Sequence, residues 1–533
     1  MNRKALAVLA AAQFLMVLDQ SVMNVSISQL VEDFDTSVTT IQGVITLYSL
    51  VMAALMITGG KLGDVMGRRR AFTIGLVIYG LGSALTAVSW DVASLTVGWS
   101  LLEGIGAALV LPAMVALTAS TFAGSDRAVA YGVLGGVAGA GIAVGPILGG
   151  WLTTNLTWRL VFAGEVVVVI AILIFARVLA EKARSGEKPR LDWLSAALSA
   201  LGLSLLVLGV LQAPSWGWLE PRNSPVEPFG FSLAPFLIAG GFALIYAFVS
   251  RQRALDSSGR QPLVRLSMFD EPVFRSGLQM FCAQNLILLG IFFTIPLYLQ
   301  VVQGFDAFET GLRMLPVSIG MLITGTAGSR LATRLAPRTI VRCGLLAVLA
   351  SVVLLLATID PEIADLLFGI AMATLGLGMG LVVSQLGNVV QSSVGEEERS
   401  EAGGLQFTSQ QFGAALGTAL IGAVLISGLI TAFGEDVRSR PEISASVKDQ
   451  VGVALEGDVS FVTSDQVRTS AETAGVPEPE VDAVVAGYEN AQLRALKTAL
   501  LAAGFIVAGS LAFTRNLPRD PLSPTGELET VTA

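Results

Sequence analysis

Long apolar stretches separated by short polar segments run along most of the chain. A helix that crosses a bilayer needs about 20 mostly apolar residues. Fourteen stretches of this kind lie at 5–30, 41–60, 71–89, 92–117, 129–151, 160–179, 193–211, 232–250, 274–299, 310–329, 339–358, 365–390, 404–430 and 496–514. The pattern predicts an all-α polytopic membrane protein with fourteen spans. The first stretch carries Asp19 and Asn24, which a cleavable signal would lack, so we interpret it as a retained span.

Composition supports the same fold class and excludes several kinds of chemistry. Of the 533 residues, 53% are hydrophobic and 14% are charged, with a mean hydropathy of +0.71. A soluble domain carries about 25% charged residues, so much of this surface must face lipid. The chain has no histidine and only two cysteines, Cys282 and Cys343. Histidine-dependent hydrolysis, histidine metal sites and a disulfide framework are therefore excluded, and we expect no cofactor, no metal and no enzyme activity.

The distribution of charge predicts the orientation of the spans. If the N-terminus is cytoplasmic, 24 of the 33 lysines and arginines fall on the cytoplasmic side. We therefore expect a multi-pass protein of the cytoplasmic membrane with both termini inside. The segment 434–494 holds twelve acidic and five basic residues, most of the chain's net charge of −8. We interpret it as a solvated extracytoplasmic loop, with a small ordered cap as the alternative, and expect no nucleic-acid partner.

An internal repeat divides the chain. Residues 60–70, after the second stretch, resemble residues 329–338, after the tenth, when Leu62 is aligned with Leu331. Two repeated halves are typical of secondary transporters, which place the substrate between them. The predicted units are a six-helix half at 1–180, a linker with spans 7 and 8 at 181–273, a second six-helix half at 274–515 that includes the loop 434–494, and a cytoplasmic tail at 516–533.

Four motifs carry a resemblance to a known family. Residues 60–70 read GKLGDVMGRRR, similar to G-x-L-(A/G)-D-x-x-G-R-(R/K), and residues 18–26 read LDQSVMNVS, similar to L-D-x-T-x-x-N-V-A. Residues 141–150 read GIAVGPILGG and end in G-P-x-x-G-G, and residues 104–113 resemble a fourth-span motif. Together they resemble the major facilitator superfamily and, within it, the fourteen-span drug:proton antiporters.

The resemblance implies a monomeric secondary transporter that exports hydrophobic, cationic drugs in exchange for protons. Its partners would be small hydrophobic or cationic molecules, protons and the lipid bilayer. The chain departs from the family pattern at three places. Ser100 and Glu103 stand where the family has an arginine tied to proton coupling and a glutamine, Glu165 replaces an asparagine, and an arginine–glutamine pair appears as two glutamines at 410–411.

Four polar residues within the spans are candidates for proton or substrate binding, namely Asp19, Asn24, Glu103 and Glu165. An ionised carboxylate in mid-membrane costs about 2.5–3.5 kcal/mol, so Asp19 and Glu103 should face a cavity or a partner. Their alternative roles are packing hydrogen bonds for Asp19 and a permanently protonated glutamine substitute for Glu103. Glu165 lies near the outer end of its span, where we expect it to reach water.

The loop after the second span is a candidate conformational latch. By the resemblance, the latch comprises Lys61, Gly63, Asp64, Gly67, Arg68 and Arg69. An aspartate there can pair with arginine and with a helix N-terminus. The glycines at 60, 63 and 67 are expected to let the chain turn tightly. A static charge cluster that only sets topology is the alternative.

The fifth span presents the antiporter motif residues Gly141, Gly145, Pro146, Gly149 and Gly150. Three of these glycines recur every four residues, so one helix face is bare and a neighbouring helix can pack closely against it. The proline removes a backbone donor and can bend the helix. Close packing follows from the spacing, and a role in motion follows only from the resemblance.

Other functions remain open from the sequence. The first alternative is a dedicated exporter of one metabolite, such as an antibiotic, a lipid or a siderophore. A membrane enzyme would need catalytic residues clustered at one membrane face, and none is evident. A sensor would use the segment 434–494 as its ligand domain.

Overall fold

The computed structural model describes residues 2–521 except 123, 180–190, 333, 362, 396–397 and 457–460. In this part of the chain all regular structure is helical. The helices are α1 Arg3–Val25, α2 Ile27–Asp33, α3 Val38–Met66, α4 Arg68–Ala87, α5 Val92–Leu95, α6 Gly104–Thr121, α7 Gly124–Asn155, α8 Arg159–Phe175, α9 Trp193–Trp216, α10 Ala234–Ser257, α11 Pro272–Leu297, α12 Ala307–Leu331, α13 Pro337–Thr358, α14 Asp365–Ser392, α15 Arg399–Ser439, α16 Ala445–Glu456, α17 Ser464–Thr473 and α18 Glu478–Ser510. Two π-helical segments, Thr96–Glu103 and Tyr298–Val302, continue α5 and α11.

The all-α membrane fold is confirmed. Among the described residues, twelve helices are long and apolar enough to cross a membrane. The two other predicted spans, 129–151 and 310–329, lie within α7 and α12. A fourteen-span arrangement is therefore compatible with the structure, and the number of spans stays a prediction.

Helices from the two ends of the sequence pack against one another along their length. The largest such contacts join α3 with α15 and α7 with α12. Side chains bridge the two ends as well. The Gln42 amide donates to the Thr418 carbonyl (2.9 Å), and the Gln300 amide donates to the Val25 carbonyl (2.9 Å). The division at 1–180, 181–273, 274–515 and 516–533 stays a prediction, and 180–190 and 522–533 lie outside the described residues.

The acidic segment 434–494 is mostly helical in its described part, which favours the ordered alternative over an irregular loop, and its extracytoplasmic position stays a prediction. It contains the end of α15, helices α16 and α17, and the first half of α18. Ala471, Val481 and Val485 form a small apolar core between α17 and α18. The Val462 backbone amide donates to the Tyr488 hydroxyl (2.9 Å), which ties the segment before α17 to α18.

The junction between α3 and α4 is a single residue, Gly67. Its φ of +104° is a conformation that glycine adopts without strain. Gly60 and Gly63, in contrast, continue α3, so the prediction that they also form the turn is wrong. A Cβ at either position would make only ordinary contact with Pro112 or Ala71 at 3.5–3.6 Å, so neither the turn nor the packing requires glycine there.

The paired helices α9 and α10 are clamped at one end by a hydrogen-bonded ion pair. Asp192, just before α9, accepts from Nε and Nη2 of Arg251 at 2.7 and 2.8 Å and also from the Ser195 hydroxyl. The Gln252 amide donates to the same hydroxyl oxygen of Ser195 (2.7 Å). These contacts fix the register of the two helices that the sequence placed between the halves.

Candidate functional site

Asp19 lies on α1 and is fully buried. The indole N–H of Trp99 donates to its Oδ1 at 2.8 Å, while its Oδ2 has no hydrogen-bond partner among the described residues. The ring of Tyr48 stacks on Trp99, with centroids 4.5 Å apart and planes 5° apart. The stack holds the indole in the orientation that reaches Asp19. The indole therefore fixes Oδ1 by a hydrogen bond, while the buried Oδ2 is left without one among the described residues.

Glu103 is the last residue of the π-helical segment Thr96–Glu103. Wide helical turns of this kind occur often at functional sites. The Thr86 hydroxyl of α4 donates to Oε1 of Glu103 (3.2 Å), and Oε2 is buried with no partner in the described chain. Ser100, which stands at the family's arginine position, donates to the Val44 carbonyl (2.8 Å) and brings no charge to the site.

Glu165 of α8 is only 2% exposed, so the expectation that it leans outward to water is wrong. The hydroxyls of Tyr79 and Ser83, both on α4, donate to its Oε2 at 3.3 and 3.2 Å. Its Oε1 has no partner among the residues described. These bonds, together with the packing of α8 against α4, turn Glu165 inward.

The three carboxyl groups form one cluster, which we call the carboxyl cluster (Asp19, Glu103 and Glu165). One oxygen of each lies within 4.8 Å of the corresponding oxygens of the other two. Among the described residues, no lysine or arginine is an electrostatic or hydrogen-bonding neighbour of these three carboxyl groups. Three ionised carboxylates this close and shielded from water would repel one another, so protons or a bound cation must compensate their charge. Hard cations also prefer such oxygen sets.

Close helix contacts bring the cluster together. A Cβ on Gly82 of α4 would lie 2.6 Å from Cγ of Glu103, and one on Gly98 would lie 2.7 Å from the Thr86 hydroxyl. Both are closer than real Cβ contacts, so only glycine at these two positions lets α4 approach the π-helical segment. Trp99 and the hydroxyls of α4 are not among the candidates predicted from the sequence. Tyr79, Ser83 and Thr86 recur at spacings of four and three, a polar face that could have revealed them.

Asn24 is buried but is not joined to the carboxyl cluster by any described contact. Its amide donates to the Gln20 carbonyl one turn earlier (2.7 Å). The Gln20 amide in turn donates to Oε1 of Gln411 on α15 (3.4 Å). These hydrogen bonds connect α1 to α15. Asn24 therefore lies next to a contact between a helix of the predicted first half and a helix of the predicted second half.

The glycines of the antiporter motif pack directly on α1, as their spacing predicts. A Cβ on Gly145 would overlap Cβ of Ser21, and one on Gly149 would lie 2.8 Å from Val22. Gly141 faces Val17 in the same way. A Cβ on Gly150 would instead overlap the Ala307 carbonyl of α12.

Pro146 belongs to the same contact region. Its carbonyl would overlap a Cβ on Gly311 of α12. Helix α7 is therefore in close contact with α1 on one side and with α12 on the other. At Gly145, Gly150 and Gly311, a residue larger than glycine would fit only if the helices moved apart.

The residues of the predicted latch lie together at the α3–α4 junction. Nη2 of Arg68 is 3.5 Å from Oδ1 of Asp64, and its Nη1 donates to the Ala116 carbonyl of α6 (3.2 Å). The Lys61 ammonium donates to the Pro262 carbonyl (3.4 Å), in the segment before α11. Lys61 and Asp64 line a small cavity with Glu401 of α15. Arg69 lines a separate surface pocket with Arg70 and Thr73.

An all-helical, multi-pass membrane protein with a buried acidic centre is the class that this fold and site define. The chain matches the Major Facilitator Superfamily over residues 9–418 and belongs to that family. The matched region contains the whole carboxyl cluster, the residues of the predicted latch and the antiporter motif.

Curated relatives with export or resistance functions are similar over most of the chain. The tetracenomycin C resistance and export protein of Streptomyces glaucescens is 29% identical over 84% of this chain and 81% of its own. The multidrug efflux pump LfrA of Mycolicibacterium smegmatis is 28% identical over 88% and 90%. The cephamycin export protein CmcT of Amycolatopsis lactamdurans is 32% identical over 80% and 85%.

Solved structures show the same fold. A bacterial homologue of the human lysosomal transporter Spinster, crystallised in an inward-facing and unoccupied conformation, superposes with a TM-score of 0.61. It is 15% identical, and the match covers 98% of both chains. The similarity concerns the arrangement of the helices.

Proposed function

We propose that the protein is a secondary active transporter that exports antibiotics or drugs, and specifically hydrophobic, cationic compounds, across the cytoplasmic membrane in exchange for protons. The carboxyl cluster is the observation that carries this proposal. It supplies three acidic groups in the buried part of the helical bundle, without a described basic partner. On this proposal the protein works as a monomer, both termini are cytoplasmic, and no cofactor takes part.

Competition between protons and a cation at the cluster would couple the two fluxes. Each carboxyl group has one oxygen fixed by a neutral donor and one without a described partner. The latter oxygens can take protons when the site faces the outside and a cation when it faces the cytoplasm. Neutral donors cannot compensate the negative charge of an ionised carboxylate. Loss of a proton therefore favours binding of the cation, and binding of the cation favours loss of a proton.

Alternating access would use the packing of α7 and the latch. Helix α7 contacts both α1, which carries Asp19, and α12 of the second half, through glycines that leave a smooth surface. At the proposed cytoplasmic side, Lys61 reaches the Pro262 carbonyl and shares a cavity with Glu401. Breaking and remaking these contacts would open and close that side of the transporter.

A dedicated exporter of one metabolite is the second candidate. Two relatives are named for the export of a single antibiotic class, tetracenomycin C and cephamycin, whereas LfrA is named as a multidrug pump. A substrate panel distinguishes the two candidates. One neutral or anionic substrate and no response to organic cations would favour the dedicated exporter.

Transport of ethidium into everted membrane vesicles, with and without a proton gradient, tests the proposal. We expect gradient-dependent accumulation by the unmodified protein and its loss in Asp19→Asn. Asp256→Asn changes an exposed aspartate at the end of α10 and serves as the matched control that retains transport. Accumulation that persists after the gradient is collapsed, or in Asp19→Asn, would contradict the proposed coupling.

A further inference from the structure

Four arginines gather where the start of α13 meets the end of α18. Arg338 and Arg342 lie one turn apart on α13, while Arg515 and Arg519 follow α18. The Arg338 guanidinium experiences electrostatic repulsion from the other three arginines. No ion pair is found for any of the four in the described part of the chain, although Asp520 follows Arg519 in sequence.

The polypeptide around these arginines is held in place. The Arg338 backbone amide donates to the Pro518 carbonyl (3.2 Å), and Nε of Arg342 donates to the Thr514 hydroxyl (2.9 Å). The Asn516 amide donates to the Ser276 hydroxyl on α11 (3.0 Å). Like charges are thus kept close by neutral contacts, at an electrostatic cost that an anion would remove.

One donor in the group lacks an acceptor. Nε of Arg338 is buried and has no hydrogen-bond partner among the described residues. A guanidinium group presents donors in a planar fork that matches phosphate oxygens. The other three arginines are exposed at the surface. A phosphate at the surface would therefore meet the charge of the exposed guanidinium groups, while the buried Nε of Arg338 shows that the described part of the protein itself supplies no acceptor there.

An apolar surface extends from the arginines along the same helices. Leu346 (54% exposed) and Val353 (60%) continue the face of Arg338 and Arg342 on α13. Gly504 brings α18 against Val352 of α13, with 3.2 Å between the latter and a Cβ built on the glycine. Phe505, the next residue of α18, is 76% exposed. Basic groups thus lie at one end of an exposed apolar surface formed by α13 and α18.

We propose that this place binds an anionic phospholipid, with its phosphate on the four arginines and its acyl chains along α13 and α18. The arginines alone would suit any phosphate, but the exposed apolar surface that continues from them suits a lipid. Basic pockets at the ends of membrane helices bind such headgroups. The proposal concerns the membrane embedding of the chain and does not depend on the transported substrate.

Native mass spectrometry of the delipidated, purified protein tests the site by titration with phosphatidylglycerol or with phosphatidylcholine of the same acyl chains. We expect phosphatidylglycerol to bind and the Arg338→Gln/Arg342→Gln variant to bind it about thirtyfold more weakly, since each arginine near an anionic headgroup contributes roughly a fivefold factor. The matched control is Arg253→Gln/Arg260→Gln, which removes two exposed arginines elsewhere and should bind like the unmodified protein.

A second variant and a second ligand keep the test decisive. Arg515→Gln/Arg519→Gln changes only the exposed segment after α18, and we expect it to weaken binding as well, with an unfolding midpoint in phosphatidylcholine nanodiscs like that of the control. Equal affinity for the two lipids, or equal binding by the test and control variants, would overturn the proposal. Displacement of the lipid by millimolar inorganic phosphate would also overturn it, because the site would then recognise free phosphate.

Discussion

At the residue scale, each acid of the carboxyl cluster is oriented by a neutral neighbour. Trp99 holds Asp19, Thr86 holds Glu103, and Ser83 holds Glu165. Neutral donors fix direction without neutralising charge. This arrangement keeps the acids available for protons or for a cation, which a permanent arginine partner would prevent.

Glu165→Gln tests whether the third acid takes part in coupling. We expect gradient-driven ethidium transport to fall by about tenfold to a hundredfold, the effect of losing one interaction with a charged group worth roughly 1.5–3 kcal/mol. The initial rate of accumulation in everted vesicles measures it. Glu220→Gln, in the exposed segment between α9 and α10, is the control, and an equal rate in the two variants would remove Glu165 from the mechanism.

Asp19 and Glu103 are conspicuous in the sequence because each is a charge in the middle of an apolar stretch, and both are buried in the structure. The burial of Glu165 cannot be predicted from its position along the span, because distance from the end of a span does not measure depth from water. Its burial depends on hydroxyls of α4, which is distant in sequence from α8. Trp99 is not conspicuous in the sequence for a different reason: tryptophan is common in membrane helices, and its single donor does not reveal a buried partner.

At the element scale, the cluster depends on how closely α4 approaches the π-helical segment 96–103. Gly82→Ala should destabilise the protein by about 1–3 kcal/mol, because the added methyl group would overlap Glu103 and the Gly98 carbonyl. Gly164→Ala, on α8 where nothing lies within 4 Å, is the control and should leave stability unchanged or slightly raised. Thermal unfolding in detergent measures the stability of both variants. Equal unfolding midpoints would mean that the contact of Gly82 with Glu103 and the Gly98 carbonyl leaves room for a methyl group.

The clamp between α9 and α10 predicts a pH dependence of stability. Hydrogen bonds from Arg251 lower the pKa of Asp192 from its ordinary 3.8 to about 2. A lowered pKa means that the ion pair stabilises the folded state fully above pH 3.8, and that this stabilisation is lost as the pH falls towards 2.

Unfolding of Asp192→Asn at several pH values checks this prediction. We expect the variant to be less stable than the unmodified protein at about pH 7, with a difference that shrinks below about pH 4. Asp256→Asn, which alters an exposed aspartate near the same helix pair, should show no such trend. A difference that stays constant from about pH 7 to about pH 3 would show that the ion pair does not contribute through its charge.

Apolar length predicted where helices lie, but not how they are wound or joined. The π-helical segments and the ordered helices within 434–494 are not visible in apolar length, and the latter are held together by contacts such as that of Ala471 with Val481 and Val485. The α3–α4 turn was correctly expected at a glycine, yet only Gly67 of the three adopts a positive φ. Gly60 and Gly63 share its residue type but continue helix α3, a distinction that residue type alone does not reveal.

At the scale of the whole molecule, the central claim is that one buried acidic centre exchanges protons for a cation. The three acids lie on α1, the π-helical segment 96–103 and α8. Helix α1 packs on α7, the π-helical segment packs on α3, and these two neighbours contact α12 and α15. A change in charge at the centre is thus positioned to alter contacts between the two ends of the sequence.

Proton release upon binding tests this claim most directly. Purified protein in weakly buffered solution is titrated with tetraphenylphosphonium while the pH is recorded. We expect protons to be released in proportion to the cation bound, and we expect this release to be lost in Asp19→Asn but kept in Asp256→Asn. Saturable binding of the cation with no release of protons by the unmodified protein would contradict it.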